Sequence, residues 1–223
     1  YPNARHTRNP KKVLLKLFDL FLKRGGRFKK QNVHSISFTS DNKPVLKTDL
    51  DFYSFDKAVV ACGAFSKRLT DQVDEKIPLD TERGYHVHFK GHDHLLSRPV
   101  IFLNRGFGIT PMEQGLRVVG TVEFGGLDNP KSEKRILNLV KSAKYLFPEL
   151  TEHHDEWLGF RPTLPDFLPV MGPSKNHENL FYSFGHHHLG WTLGAISGKI
   201  IASMIMKENM NLDLSPYNSI RFS

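Results

Sequence analysis

Among 223 residues there is one cysteine, Cys62, which excludes an internal disulfide framework and points to a reducing compartment. No apolar run is long enough to span a bilayer. The longest, Leu189 to Met206, is interrupted by Lys199 and by glycines. Zinc signatures such as Cys-x-x-Cys and His-Glu-x-x-His are missing, and so is any recognition-helix or RNA-binding pattern. The formal charge of +8 therefore reads as a solvated or membrane-attracted surface rather than a nucleic-acid interface. A further absence matters more. No Gly-x-Gly-x-x-Gly loop occurs; Gly106-Phe107-Gly108 lacks both the third glycine and a following helix. The chain also opens Tyr1-Pro2-Asn3, without Met or an apolar leader, and the expectation is a piece of a longer protein.

What is present is globular: 39% hydrophobic and 24% charged residues suit a packed core. Lys11 to Arg24 predicts an apolar-rich helix with Leu14, Leu17, Phe18, Phe21 and Leu22 on one face, stopped by Gly25-Gly26. Val33 to Phe38 and Pro44 to Phe52 read as short strands around Ser40-Asp41-Asn42. Phe55 to Ala64 is a continuous apolar run breaking at Gly63, the pattern of a strand covered on both faces in a parallel sheet. From Ile77 to Phe124 the pattern changes to alternating strands, as in an antiparallel sheet. A helix then starts at Asp128-Asn129-Pro130, with Pro130 near its first position. It buries Ile136, Val140, Ala143 and Phe147 and ends at Pro148. These changes predict two interleaved domains, 1–76 with 157–223, and 77–156. The class is α/β plus α+β.

The chemistry concentrates late in the chain. Leu180 to Phe184 reads as a buried strand; Gly185-His186-His187-His188-Leu189 forms a turn; Gly190-Trp191-Thr192 opens a helix. Gly190, Gly194, Gly198 and Ala202 recur every fourth residue, leaving one helix face nearly bare for close approach by a backbone or a flat ligand. The helix start offers unpaired N–H groups and partial positive charge to an electron-rich group. Three consecutive histidines also raise a metal, but no cysteine motif or fixed carboxylate accompanies them, and the metal reading loses. Arg161, in the stiff Gly159-Phe160-Arg161-Pro162 segment, suits a carboxylate through its planar fork or a structural ion pair. Ala61, Cys62 and Gly63 end the buried strand, at the edge where α/β sheets receive ligands. Cys62 lacks a basic neighbour and reads as space-filling rather than nucleophilic. Tyr85 reads equally as a polar pocket wall or an amphipathic strand residue.

Six pieces in order carry a resemblance: Val59-Val60-Ala61-Cys62-Gly63-Ala64, Arg83-Gly84-Tyr85-His86, Gly115 to Phe124, Gly159-Phe160-Arg161-Pro162, Leu168-Pro169-Val170-Met171-Gly172-Pro173, and Gly185-His186 with Leu189-Gly190-Trp191-Thr192. The chain resembles the C-terminal part of FAD-dependent amine oxidoreductases of the D-amino acid oxidase and glycine oxidase superfamily, D-amino acid dehydrogenases of the small-subunit type above all. The resemblance implies an incomplete FAD/NAD(P)-binding Rossmann-like domain with an inserted antiparallel-sheet substrate domain. It implies FAD as cofactor, touched by Val33 (at the adenine), Ala61, Cys62, Gly63 and Gly185 through Thr192. It implies Arg161, Tyr85 and His188 at the substrate, with no catalytic acid or base and no metal. The implied reaction is oxidative deamination of a D-amino acid of the D-alanine type by hydride transfer to FAD. A respiratory electron acceptor, a peripheral association with the inner membrane from the cytoplasm, and a missing N-terminal FAD-binding segment belong to the same picture. Gly108 stands where some relatives place a pocket tyrosine, which implies a substrate larger than glycine. Sibling enzymes acting on D-hydroxyproline, sarcosine or glycine share every motif, and a non-enzymatic fragment that docks a partner is the remaining alternative.

Overall fold

The computed structural model describes residues 5–222. Contacts divide them into two compact units: the chain up to Lys29 with Arg83–Gly159, and Lys30–Glu82 with the chain from Phe160 onward. The expected boundaries near 76 and 156 fall instead at 82 and 159, and the N-terminal helix groups with the sheet unit.

In the first unit α1 (Pro10–Lys23) is started by Asn9, whose side chain accepts from the Lys12 N–H at 2.9 Å, with proline in its first turn. Its anchors are polar and sit at its start: Asn9 donates to Glu113 at 2.9 Å, Lys12 pairs with Glu113, and Arg8 pairs with Asp93 at 2.8 Å. No residue of α1 is buried. The apolar stripe of Leu14, Leu17 and Phe21 is exposed among the described residues.

The second unit begins with a meander of β1 (Val33–Phe38), β2 (Pro44–Thr48) and β3 (Phe52–Ser54). The single strand expected from Pro44 to Phe52 breaks because the Thr48 hydroxyl accepts from the N–H groups of Leu50 and Asp51, closing a turn. Next come β4 (Ala58–Val60) and the short α2 (Lys67–Thr70). Of β4 only Val60 is buried, and Val59 is 40% exposed. The expectation of a strand covered on both faces is thus corrected; among the described residues no layer lies over Val59.

A five-stranded antiparallel sheet occupies the middle of the chain, as the alternating pattern predicts. Its members are β5 (Asp80–Phe89), β6 (Val100–Phe102), β7 (Phe107–Met112), β8 (Gly115–Glu123) and β9 (His153–Thr163), in the order β6-β7-β8-β5-β9. Tyr85, Val87, Phe89, Ile109, Leu116 and Val118 point to one face, where they pack with Ile136, Leu139 and Ala143 of α3 (Glu133–Leu146). That helix starts later than expected. Asn129 donates to the Gly125 carbonyl and the Pro130 carbonyl accepts from Arg83 at 2.6 Å, so this stretch is a turn and not a first helical turn. The strand β9 is not signalled in the sequence, where Gly159 and Pro162 argue against one. It lies at the sheet edge, where proline is tolerated, and the Trp157 ring lies over Gly159, where a Cβ would meet it at 1.8 Å.

In the second unit β10 (Val170–Pro173) and β11 (Leu180–Phe184) pair antiparallel, and β11 pairs parallel with β4. Alternation along β11 sends Leu180, Tyr182 and Phe184 into a core with Ile36, Val60, Leu69 and Leu164, while Phe181 packs on Ile200 and Ile201 of α4 (Gly190–Ile205). Beneath β11 lies the buried carboxylate of Glu75. It accepts from the hydroxyls of Tyr182 (2.9 Å), Ser219 (3.0 Å) and Ser174. Burial pushes the Tyr182 phenol well above its ordinary value, keeping it a donor. Glu75→Ala leaves three buried hydroxyls without their acceptor and should cost about 3 kcal/mol or more in urea unfolding. Glu75→Gln, which retains an acceptor, should cost less. Equal stability of all three proteins would contradict this role.

Candidate functional site

Strands that pair in parallel end at the same sheet edge, so the chain leaving each one arrives there. Leu180, Phe181 and Tyr182 pair with Ala58, Val59 and Val60, and the segments that follow are Ala61-Cys62-Gly63 and Gly185 through Thr192. Both groups of expected cofactor residues thus lie at one edge. Ala61 and Cys62 are exposed, and Gly63 has a φ of +56°. Shielding of the sulfur pushes the Cys62 thiol up, against a reactive thiolate. Val33 opens β1 in the other sheet and is 39% exposed.

The turn after β11 is tight. Gly185 has a φ of +82°, and a Cβ there would meet Leu164 at 2.4 Å, so only glycine fits. His186 turns back onto α4 and bonds the buried Ser197 hydroxyl at 2.8 Å; burial lowers its pKa, which favours the neutral ring. His187 has a left-handed backbone, φ +53°, uncommon for a residue with a side chain. Its Nε2 lies 2.9 Å from the Glu82 carboxylate, and both side chains are only 11% exposed. Its Nδ1 meets Nδ1 of the exposed His188. Leu189, Trp191 and Thr192 are exposed around the first turn of α4, which has no side-chain cap. Gly194 and Gly198 have open space where a Cβ would stand.

Glu82 also reaches the expected substrate arginine. Arg161 on β9 is partly buried and donates to the Glu82 carbonyl at 3.5 Å. Desolvation lowers its pKa, and the Glu82 carboxylate opposes that shift. The structure therefore joins Arg161 and the histidine turn through a glutamate that sequence reasoning missed. Its only local signal is a charge next to Arg83 within an alternating strand.

Tyr85 is placed differently. It is fully buried in the first unit, where its hydroxyl donates to Glu123 at 2.5 Å and accepts from the Ser132 N–H at 3.1 Å. Arg83, also buried, pairs with Glu123 at 3.2 Å. This cluster ties β5 to β8 and to the start of α3, so Tyr85 offers no exposed hydroxyl as a pocket wall.

Residues 1–204 match the family described as "DAO: FAD dependent oxidoreductase". The chain belongs to that family. It is 29% identical over 224 residues to the D-amino-acid oxidase of Bradyrhizobium diazoefficiens, covering 98% of this chain and 53% of that protein. It is 32% identical over 185 residues to the D-amino acid dehydrogenase of Vibrio atlanticus, covering 76% of this chain and 42% of that protein. The crystal structure of glycine oxidase from Geobacillus kaustophilus superposes with a TM-score of 0.77 at 26% identity, over 86% of this chain and 52% of that one. The chain thus spans about half the length of the curated relatives it matches.

The family's cofactor fits these residues in part. The uncapped start of α4 and its open glycine face suit the edge of a flat, electron-accepting ring. Among the described residues the phosphates find no glycine-rich turn into a helix, because Gly106-Phe107-Gly108 leads into the antiparallel strand β7. No helix among the described residues is long and apolar enough to cross a membrane.

Histidines elsewhere have their own role. In the first unit His86 stacks on Trp157 at 4.8 Å, and His88 accepts from Arg117 at 3.1 Å. Burial first, then Arg117, lowers His86 to about 3 and His88 to about 4. No group of three metal-ligating side chains occurs among the described residues. Because the unfolded chain takes up these protons near pH 6.5 and the folded one does not, stability should fall as pH drops from about 6.5 toward 4. His88→Gln should flatten that dependence in urea titrations at stepped pH, and an unchanged slope would contradict the assignment.

Proposed function

We propose that this chain forms the substrate-carboxylate site and the flavin-edge site of an FAD-dependent D-amino acid dehydrogenase, which converts a D-amino acid of the D-alanine type to its 2-oxo acid and ammonia. The observation that carries this reading is Glu82, which contacts Arg161 through its carbonyl and His187 through its carboxylate. An arginine suited to a carboxylate and a turn suited to a flavin edge are thereby held side by side. The names of the relatives, D-amino-acid oxidase and D-amino acid dehydrogenase, support the substrate class.

In this reading Arg161 takes the substrate carboxylate with two parallel N–H bonds and fixes the orientation of Cα. Arg161 is partly desolvated, so its bonds act in a medium of lower dielectric than water. His188, exposed beside this group, faces the substrate amine. His186 through Thr192, together with Ala61, Cys62 and Gly63, would border the flavin, and Val33 would meet the adenine. FAD, when bound, supplies the hydride acceptor. The uncapped α4 N–H groups favour negative charge at the ring edge without a titratable side chain. The imine leaves the site and hydrolyses in water. The electrons pass to a respiratory acceptor, and the basic surface favours peripheral contact with an anionic membrane. A substrate panel containing D-alanine, D-hydroxyproline, sarcosine and glycine discriminates among the siblings.

Two outcomes follow. Alone, the 223-residue chain should bind FAD weakly or not at all in a flavin fluorescence titration. Supplying the half that the relatives carry, in cis or as a separate polypeptide, should restore tight binding and D-alanine-dependent dye reduction. Stoichiometric binding by the chain alone would contradict this division of labour. In the complemented protein, Arg161→Lys replaces a fork by a point charge and should lower kcat/KM by roughly ten- to a thousand-fold, mostly through KM, with FAD content preserved. Unchanged kinetics would remove Arg161 from the site.

A further inference from the structure

The histidine turn contains more organisation than contact with a ring edge requires. Glu82, His187 and His188 form a continuous chain of hydrogen-bonding groups that runs from a buried carboxylate to an exposed imidazole. The Phe167 ring stands perpendicular to the His187 ring at 5.0 Å, so that imidazole is held between an aromatic ring and a carboxylate. The left-handed backbone at His187 is the strained conformation that this placement demands. An ionised carboxylate only accepts hydrogen bonds, so Nε2 of His187 carries the proton facing Glu82. Two Nδ1 atoms facing each other share one proton. With His187 neutral, that proton resides on His188, and Nε2 of His188 is left as a lone pair at the surface.

We propose that these three residues form a proton relay that removes a proton from the substrate ammonium, with His188 as the catalytic base and Glu82 as a positioning residue. The proposal rests on the reading of this site as one that oxidises an amine. An ammonium has no lone pair to support loss of hydride from Cα, so a proton must leave first. The balance is simple. The substrate N–H bond breaks and a bond from that proton to His188 Nε2 forms. The His188 Nδ1–H bond breaks and the proton joins His187 Nδ1. His188 ends neutral in its other tautomer, and His187 ends as an imidazolium against the Glu82 carboxylate. Positive charge thus moves from the substrate to a buried partner, and nothing is oxidised in the step. The charged group in contact with the relay is Arg161, which meets Glu82; His186 is turned away onto Ser197.

The direct test needs neither FAD nor activity. Long-range ¹H–¹⁵N correlation spectra of the 223-residue chain, at a pH where imidazoles are neutral, should show His187 protonated at Nε2 and His188 at Nδ1, the minor form of free imidazole. Glu82→Gln, which keeps the shape of the side chain, should weaken that preference at both rings. An ordinary Nε2–H tautomer at His188 in the unaltered chain would overturn the relay. In the complemented, FAD-loaded protein, His188→Gln should lower kcat/KM near neutral pH by roughly a hundred-fold or more. Glu82→Gln removes the negative charge that holds the imidazolium, so it should move the acid limb of the pH profile to lower pH with FAD content unchanged. A profile that neither variant moves would also overturn it. If no amine is oxidised but the tautomers are as stated, the arrangement stands and the functional reading fails.

Discussion

The parallel pairing of Ala58–Val60 with Leu180–Tyr182 is the constraint on which the candidate site depends. Parallel strands point their C-terminal ends the same way, so two stretches far apart in sequence must deliver their following loops to one edge. The pairing is short, yet it is fixed from both sides. Val60, Leu180, Tyr182 and Phe184 are buried together on one face, and Phe181 is pinned to α4 by Ile200 and Ile201 on the other. A slip of one residue would reverse those faces and expose Leu180 and Tyr182. The register is therefore set by burial, and the position of the Gly185 turn follows from it.

What the turn then does is set by sterics and charge. Leu164 crowds the Cα of Gly185 and forbids a side chain, and the chain reverses sharply enough to bring His186 onto Ser197 and His187 onto Glu82. These contacts leave α4 starting without a side-chain cap and with its glycine face open. Glu82 has the central position because one residue offers two different acceptors. Its carbonyl orients Arg161, and its carboxylate orients a histidine. Both contacts are partly shielded from water, where each is worth more than it would be on an open surface.

Much of this was legible in the sequence, for identifiable reasons. Gly185, Gly190 and the small-residue ladder announce a tight turn and a bare helix face, because only glycine tolerates such geometry. The alternating strands from Ile77 to Phe124 announce an antiparallel sheet because alternation reports one-sided burial. Two patterns mislead where burial depends on a neighbouring layer. The apolar stripe of α1 and the run around Val59 look like core, but periodicity cannot reveal whether a covering element is there. In β9, Gly159 and Pro162 hid a strand that survives because it lies at an edge and because the Trp157 ring occupies the space beside the glycine. Glu82 was invisible for another reason. Its partner His187 lies 105 residues away, and a glutamate in a strand has no local pattern that distinguishes a buried acceptor from a solvated charge. Tyr85 shows the converse, since an attractive residue type turned out to close a structural cluster with Arg83 and Glu123.

The most direct test of the account is a crystal structure of this chain complemented with the half its relatives carry, loaded with FAD and soaked with a non-reactive carboxylate such as benzoate. The account predicts the carboxylate bound by both terminal nitrogens of Arg161, the flavin edge against the first turn of α4, and Glu82 still holding His187. A carboxylate bound elsewhere, with Arg161 engaged only by the protein and α4 away from the flavin, would contradict it.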